Sequence, residues 1–234
     1  MVPSDFGTLH LSPAEGAAPE VPDVWLNCVP NALAAAAAVL LSLLFLSTYL
    51  RLRPHLLDCL TKKRGVEKLE HNLQSARERN ICVSVAFLVT AMAADRFGLY
   101  RPDWICDLPK VWRLAATGAS ILGFFLLRMI FGLLFRPKRI RGDAQLALGR
   151  SILSFWVLLT PLAAATIGIF LVFRASGAAI STFLYIETAL FFLWNAVRVF
   201  QILREKYPPL ISFLYLCALE FLPVAALIVS AALL

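Results

Sequence analysis

The hydrophobic positions of the chain fall into six long runs that short polar segments separate. Each run holds about twenty residues, which is enough for a helix rising about 1.5 Å per residue to cross roughly 30 Å of hydrocarbon. The pattern therefore predicts six membrane-spanning helices and an all-α fold, a polytopic helical bundle. The predicted spans are residues 30–50, 81–99, 114–135, 151–173, 178–203 and 210–233.

The second run has the weakest hydrophobic pattern, because Asp95 and Arg96 interrupt it after fourteen apolar or small residues. These two side chains can pair with each other at the membrane surface. Without this span the bundle would have five helices, and the alternation of its loops across the membrane would change.

Two segments outside the runs are polar. Residues 1–24 contain four acidic and no basic residues, so they lack the basic start of a secretory signal peptide and are expected to form a disordered acidic tail. Residues 51–80 hold eight basic and four acidic residues, with leucines at helical spacing on either side of Gly65. This segment is expected to be a basic amphipathic cytoplasmic loop of one or two helices, with its basic side against anionic headgroups, or alternatively a solvated connector. The helical membrane domain then covers residues 25–234.

The composition agrees with a membrane fold, since 60% of the residues are hydrophobic and 16% are charged. Soluble domains contain about 45–50% apolar and about 25% charged residues. The net charge of +7 would indicate nucleic-acid binding in a soluble protein. Here the basic residues lie mostly at the ends of the apolar runs, so membrane topology explains them better and no nucleic-acid partner is expected.

The distribution of lysine and arginine predicts the orientation of the chain. Of the 22 basic residues, 16 lie in or beside the loops after the first, third and fifth spans, and five lie beside the other two loops. Because cytoplasmic loops carry the excess of basic residues, the odd-numbered loops are expected in the cytoplasm and both termini outside. The expected location is the bacterial inner membrane.

The five cysteines and three histidines form no metal-binding pattern in the sequence. No CxxC pair is present, and nothing in the loop clearly completes a site with His55, Asp58 and Cys59, which share helical spacing. No cofactor is therefore expected. Cys28 and Cys106 both fall near the outer face, where they either form a disulfide or remain free thiols.

Three ionisable residues, Arg128, Glu187 and Glu220, lie inside the predicted spans. Charges at this depth are costly, so they need partners and often mark functional sites. Arg128 and Glu220 lie roughly 12 Å and 15 Å from the inner ends of their spans, at about 1.5 Å per residue. Because these depths match, we predict an ion pair between the third and sixth spans, with Glu187 as the competing acceptor.

Polar residues also follow one face of the fifth span, where Glu187, Trp194, Asn195 and Arg198 recur at helical spacing. Arg198 lies roughly 16 Å from Glu187 along the helix axis, which is too far for contact. The stripe is expected to face the bundle or a partner protein, since lipid would not solvate it, while Arg198 can instead extend to the inner headgroups. The predicted intramembrane polar network consists of Arg128, Glu187, Asn195, Arg198 and Glu220.

Pro223 follows Glu220 by three residues and cannot donate a helical hydrogen bond to the carbonyl of Leu219. The carboxylate is therefore expected beside a local break in the helical hydrogen bonds. Transporters also place buried carboxylates beside broken helices, so Glu220 either holds helices together or carries a proton.

The segments YIETALFFLWNAVRVFQILREK (185–206) and FLYLCALEFLP (213–223) are distinctive, and FFLLRMIFGLLF (124–135) is less so. With these segments the C-terminal third resembles a family of uncharacterised small integral-membrane proteins from Bacteroidota, known as a domain of unknown function. The resemblance implies a multi-helix inner-membrane protein with a Leu-Glu element near its C-terminus, and it implies no particular activity.

The sequence contains no nucleophile–base constellation, glycine-rich phosphate loop or metal motif, and its polar loops are too short for a soluble catalytic domain. We therefore expect no enzymatic activity. The favoured interpretation is a subunit or assembly factor of a cell-envelope complex, in contact with the lipid bilayer and other membrane protein subunits. The alternative is a small proton-coupled transporter using Glu187 or Glu220, although no internal repeat relates the two halves of the chain.

Overall fold

The computed structural model describes residues 25–62, 65, 69, 72–134, 142–205 and 207–233 of the chain. These residues form helices and turns and contain no strand. The helices are α1 (Val29–Thr61), α2 (Leu73–Phe97), α3 (Asp103–Cys106), α4 (Lys110–Leu134), α5 (Gly142–Val172), α6 (Gly177–Arg204), α7 (Pro209–Leu216) and α8 (Leu222–Leu233). A π-helical turn, Cys217–Phe221, connects α7 directly to α8.

The described chain contains six helical segments that are long and apolar enough to cross a membrane. They are Val29–Cys59, Leu73–Phe97, Lys110–Leu134, Arg150–Val172, Gly177–Arg204 and Pro209–Ala231. Large apolar side chains such as Leu43 and Leu133 are exposed on the outside of the bundle, where lipid would cover them. The protein is therefore an all-α polytopic membrane bundle, as predicted, and the weak second run is one of its spans. The predicted tail, residues 1–24, lies outside the described residues.

The helices on either side of the predicted amphipathic loop are longer than the apolar runs. α1 continues to Thr61, and α2 begins at Leu73 after the N-cap residue Asn72. The apolar run ends at Arg51, but arginine and leucine are both good helix formers, so the helix continues beyond the hydrophobic segment. Both ends of residues 51–80 therefore belong to the long helices α1 and α2.

Leucines of this segment pack inside the protein. Leu56 is 0% exposed and Leu69 is 2% exposed. Both belong to one apolar cluster, made of Leu52, Leu56, Cys59, Leu69, Cys82, Val157 and Leu158. The apolar side of this segment, at Leu56 and Leu69, therefore packs inside the bundle.

Helix α2 lies at the centre of the bundle, in contact with α1, α4, α5 and α6. Helices α5 and α6 form a hairpin through a tight turn, in which Arg174 adopts a left-handed φ of 52°. Helix α4 packs against the π-helical turn and α8, and α6 packs against α7. These contacts bring the charge-bearing helices α4 and α6 and the π-helical turn into one bundle.

Polar contacts join distant segments at the end of the bundle where α1 begins and α2 ends. The indole Nε1 of Trp25 donates a hydrogen bond to Asp95 Oδ2 at 2.6 Å. Asp95 was expected to pair with Arg96, but the structure gives it this partner instead. The Tyr185 hydroxyl donates to the carbonyl of Leu99 at 2.8 Å, which joins α6 to the turn after α2.

Replacing Trp25 by phenylalanine is expected to destabilise the protein by about 1–3 kcal/mol, because the buried Asp95 carboxylate then loses a hydrogen-bond donor. The measurement is the free energy of unfolding in mixed detergent micelles. Trp104→Phe is the matched control, since that indole is exposed, and it should leave the stability unchanged. An equal loss in both variants would show that the Trp25–Asp95 bond contributes nothing specific.

Candidate functional site

Arg128 and Glu220 form an ion pair inside the bundle. Arg128 Nε donates to Glu220 Oε2 at 3.3 Å, and Arg128 Nη2 donates to Glu220 Oε1. The Arg128 side chain is 8% exposed and that of Glu220 is 1% exposed. The predicted pairing between the third and sixth spans is confirmed, and its two parallel bonds fix the relative position of α4 and the π-helical turn.

The backbone around Glu220 is a π-helical turn. Pro223, which is fully buried, lacks the N–H that an α-helix would direct to Leu219. The N–H of Leu222 bonds to the carbonyl of Cys217, five residues back, so the helix continues with one wider turn. The expected local break is therefore present as a π-helical turn, and Glu220 lies within it.

The surroundings of the pair are apolar. The Phe221 ring packs edge-to-face on Phe192 of α6, with ring centroids 5.7 Å apart. An apolar cluster covers the contact between α6 and the C-terminal helices, made of Ala196, Val199, Leu203, Leu216 and Leu219. Because Arg128 engages both oxygens of Glu220 and both side chains are buried, the carboxylate is suited to holding helices together.

Glu187 lies in a different environment, between α5 and α6. Thr166 Oγ1 donates a hydrogen bond to Glu187 Oε2 at 3.1 Å. The other oxygen, Oε1, is buried and has no hydrogen-bond partner in the described part of the chain. One helical turn closer to the hairpin turn, the rings of Phe170 and Phe183 pack with centroids 4.7 Å apart. Glu187 is therefore a carboxylate with unused hydrogen-bonding capacity.

The remaining residues of the predicted polar stripe point in different directions. Asn195 is buried, and its side-chain amide makes no hydrogen bond within the described residues. Trp194 is exposed, and Arg198 Nη1 donates to Gln201 on the same helix at 2.9 Å. The prediction of one connected network is wrong, because no bond among the described residues links Glu187 or Asn195 to the Arg128–Glu220 pair.

The sequence pattern did not single out Thr166 and Arg79, two of the polar residues that the structure places in the bundle. Thr166 was not considered as a partner for Glu187, although counting back from the α5–α6 turn would have placed the two at similar depth. Arg79 was assigned to the amphipathic loop, but it is fully buried near the start of α2 and donates to Asn80 Oδ1 at 2.9 Å. No sequence signal distinguished this arginine from its exposed neighbours.

The described residues contain no group of three metal-ligating side chains, and no disulfide joins the cysteines, so Cys28 and Cys106 are not bonded to each other. Comparison with protein-family models, curated proteins and solved structures gives no match for this chain. The resemblance of the C-terminal third to the Bacteroidota family therefore stays a prediction. Function has to be argued from the geometry of the two carboxylate sites.

Proposed function

We propose that the chain is a non-catalytic subunit or assembly factor of a cell-envelope complex in the bacterial inner membrane. The observation that carries this proposal is the contrast between the two intramembrane carboxylates. Glu220 is paired within the chain, whereas Glu187 has a buried oxygen with no hydrogen-bond partner among the described residues, beside the exposed surface of α6. An ionisable group inside the membrane is costly when it lacks a partner, and a partner from another molecule would remove that cost.

We also propose an orientation of the chain across the membrane. The basic connections after α1, α4 and α6 lie in the cytoplasm, and the Trp25–Asp95 contact lies at the opposite face. The exposed indoles of Trp104 and Trp112 lie between α2 and the body of α4, where they suit the outer membrane–water interface.

The test of the subunit function is purification of the full chain from its native membranes in a mild detergent. We expect a discrete complex that contains other membrane proteins in fixed ratio to this chain, identified by size-exclusion chromatography and mass spectrometry. Purification of a stable, monodisperse chain without stoichiometric partners would contradict the proposal.

The open oxygen of Glu187 also favours proton-coupled transport as a second candidate function, with Glu187 rather than Glu220 as the proton-binding residue. In that case, substrate-dependent proton flux into proteoliposomes would be lost in Glu187→Gln. Flux that persists in this variant would exclude Glu187 as the proton carrier.

A further inference from the structure

Glu187 lies at the edge of a groove between α5 and α6. The groove has a volume of about 310 Å³. Its lining is apolar apart from Glu187 and Thr166, and is formed by Leu162, Phe183, Ile186, Leu190 and Phe191. Ile186 and Leu190 on its wall are 52% and 61% exposed, so the groove opens sideways toward the lipid or a neighbouring protein.

The hydrogen bonding of Glu187 is incomplete in a way that indicates a missing donor. An ionised carboxylate offers about four acceptor positions on its two oxygens. Thr166 occupies one position on Oε2, and Oε1 is buried without a partner in the described residues. Glu187 lies ten residues after the start of α6 at Gly177, or about 15 Å into the membrane, where water cannot readily supply the missing bonds.

No cation lies within ion-pair distance of Glu187 in the part of the chain that the structure describes. Arg128 is engaged in two hydrogen bonds with Glu220. Arg198 lies eleven residues farther along α6, roughly 16 Å away, and donates to Gln201. Within the described chain, Glu187 therefore has no countercharge.

We propose that this groove binds a transmembrane helix of a partner protein that carries one lysine or arginine near the middle of the membrane, paired with Glu187. This inference rests on the proposed function as a subunit of a complex. The partner's apolar face covers Ile186 and Leu190, and its cationic group pairs with the Glu187 carboxylate, which lines the groove. Pairing across helices removes the cost that either charge bears alone in hydrocarbon.

Charge complementarity favours a partner helix with a cationic residue over two other occupants, a phospholipid and a second copy of the chain. A phospholipid would fill the groove with acyl chains, but its amine headgroup stays at the membrane surface and leaves Glu187 unpaired. A second copy of the chain would have to pair its Arg128 with Glu187, since Arg128 is the arginine near the middle of its described spans. That side chain already donates two hydrogen bonds to Glu220.

The test uses the purified full chain in lipid vesicles and synthetic transmembrane helices of leucine and alanine as probes. One probe carries a single arginine at its centre, and the reference probe carries leucine there. Association is measured by energy transfer between a dye on the protein and a dye on the probe. We expect the arginine probe to bind the native chain about 10-fold more tightly than the leucine probe, the scale of a strong polar contact between membrane helices.

Two variants make the result specific to the groove. Glu187→Gln should bind both probes with similar affinity. Thr188→Val, which alters the neighbouring exposed residue of α6, should keep the preference for arginine. Equal binding of the two probes by the native chain would overturn the inference, and so would a preference that persists in Glu187→Gln.

The groove as a cation-binding site and the function as a subunit can each fail without the other. Copurified partners without any preference for the arginine probe would refute the groove as a cation-binding site and leave the subunit function standing. A clear preference in a chain that purifies without partners would support the site and contradict the subunit function.

Discussion

Replacing either Arg128 or Glu220 by glutamine is expected to destabilise the bundle by about 3–5 kcal/mol. Both side chains are buried and satisfy each other through two hydrogen bonds. Removing one partner leaves the other as an uncompensated charge in an apolar interior, which costs more than the pair itself contributes. The free energy of unfolding in mixed detergent micelles measures the effect.

The charge swap, Arg128→Glu with Glu220→Arg, is expected to recover part of this loss, and a double-mutant cycle gives the coupling between the two residues. The chain also offers a matched control in the exposed ion pair of Lys62 and Asp58, whose side chains are 60% and 39% exposed. Neutralising that pair should change the stability by about 0.5 kcal/mol or less. Equally small changes in the buried pair would contradict its structural role.

Leu56→Ala is expected to cost about 2–4 kcal/mol, because the side chain is 0% exposed and lies in the cluster that joins α1 to α2 and α5. The loss comes from the cavity that the smaller side chain leaves among neighbours that relax only in part. The measurement is again the free energy of unfolding in micelles.

Leu57→Ala is the control for Leu56→Ala, since the next residue along α1 is 41% exposed. This variant should lose about 0.5 kcal/mol or less. A similar small effect in both variants would show that this part of α1 lies on the membrane surface, as the sequence pattern alone indicated, and does not pack in the core.

The helices and the buried ion pair could be predicted from the sequence because each depends on a strong, local signal. A run of about twenty apolar residues is enough to identify a span. Arg128 and Glu220 are rare charges in such runs, and their distances from the span ends match. The depth of each charge in the membrane could not show whether Arg128 pairs with Glu187 or with Glu220, since the choice depends on which helices are neighbours.

The ends of the helices and the partners of the other polar residues could not be predicted in the same way. Hydropathy changes at Arg51, but helix formation does not stop at a charged residue. The partners of Glu187 and Asp95 are Thr166 and Trp25, which are ordinary residues in their own segments. Such contacts arise from the packing of helices far apart in sequence, and a single sequence carries little information about that packing.

The π-helical turn was predictable in part. Pro223 identified the carbonyl that would lose its donor, but proline can be accommodated by a kink, a break or a wider turn. The structure has the wider turn, with Leu222 bonded to Cys217, and this choice keeps Glu220 inside the bundle.

We assign different roles to the two carboxylates, and the thermal unfolding of Glu187→Gln and Glu220→Gln in the same micelles tests this assignment most directly. Glu220→Gln is expected to lower the melting temperature by about 6–20 °C, the change that a loss of about 3–5 kcal/mol produces in a chain of this size. Glu187→Gln is expected to leave it unchanged or raise it, because the substitution removes a carboxyl group that no cation in the described part of the chain pairs with. Equal losses in the two variants, or a stable Glu220→Gln protein, would contradict the assignment.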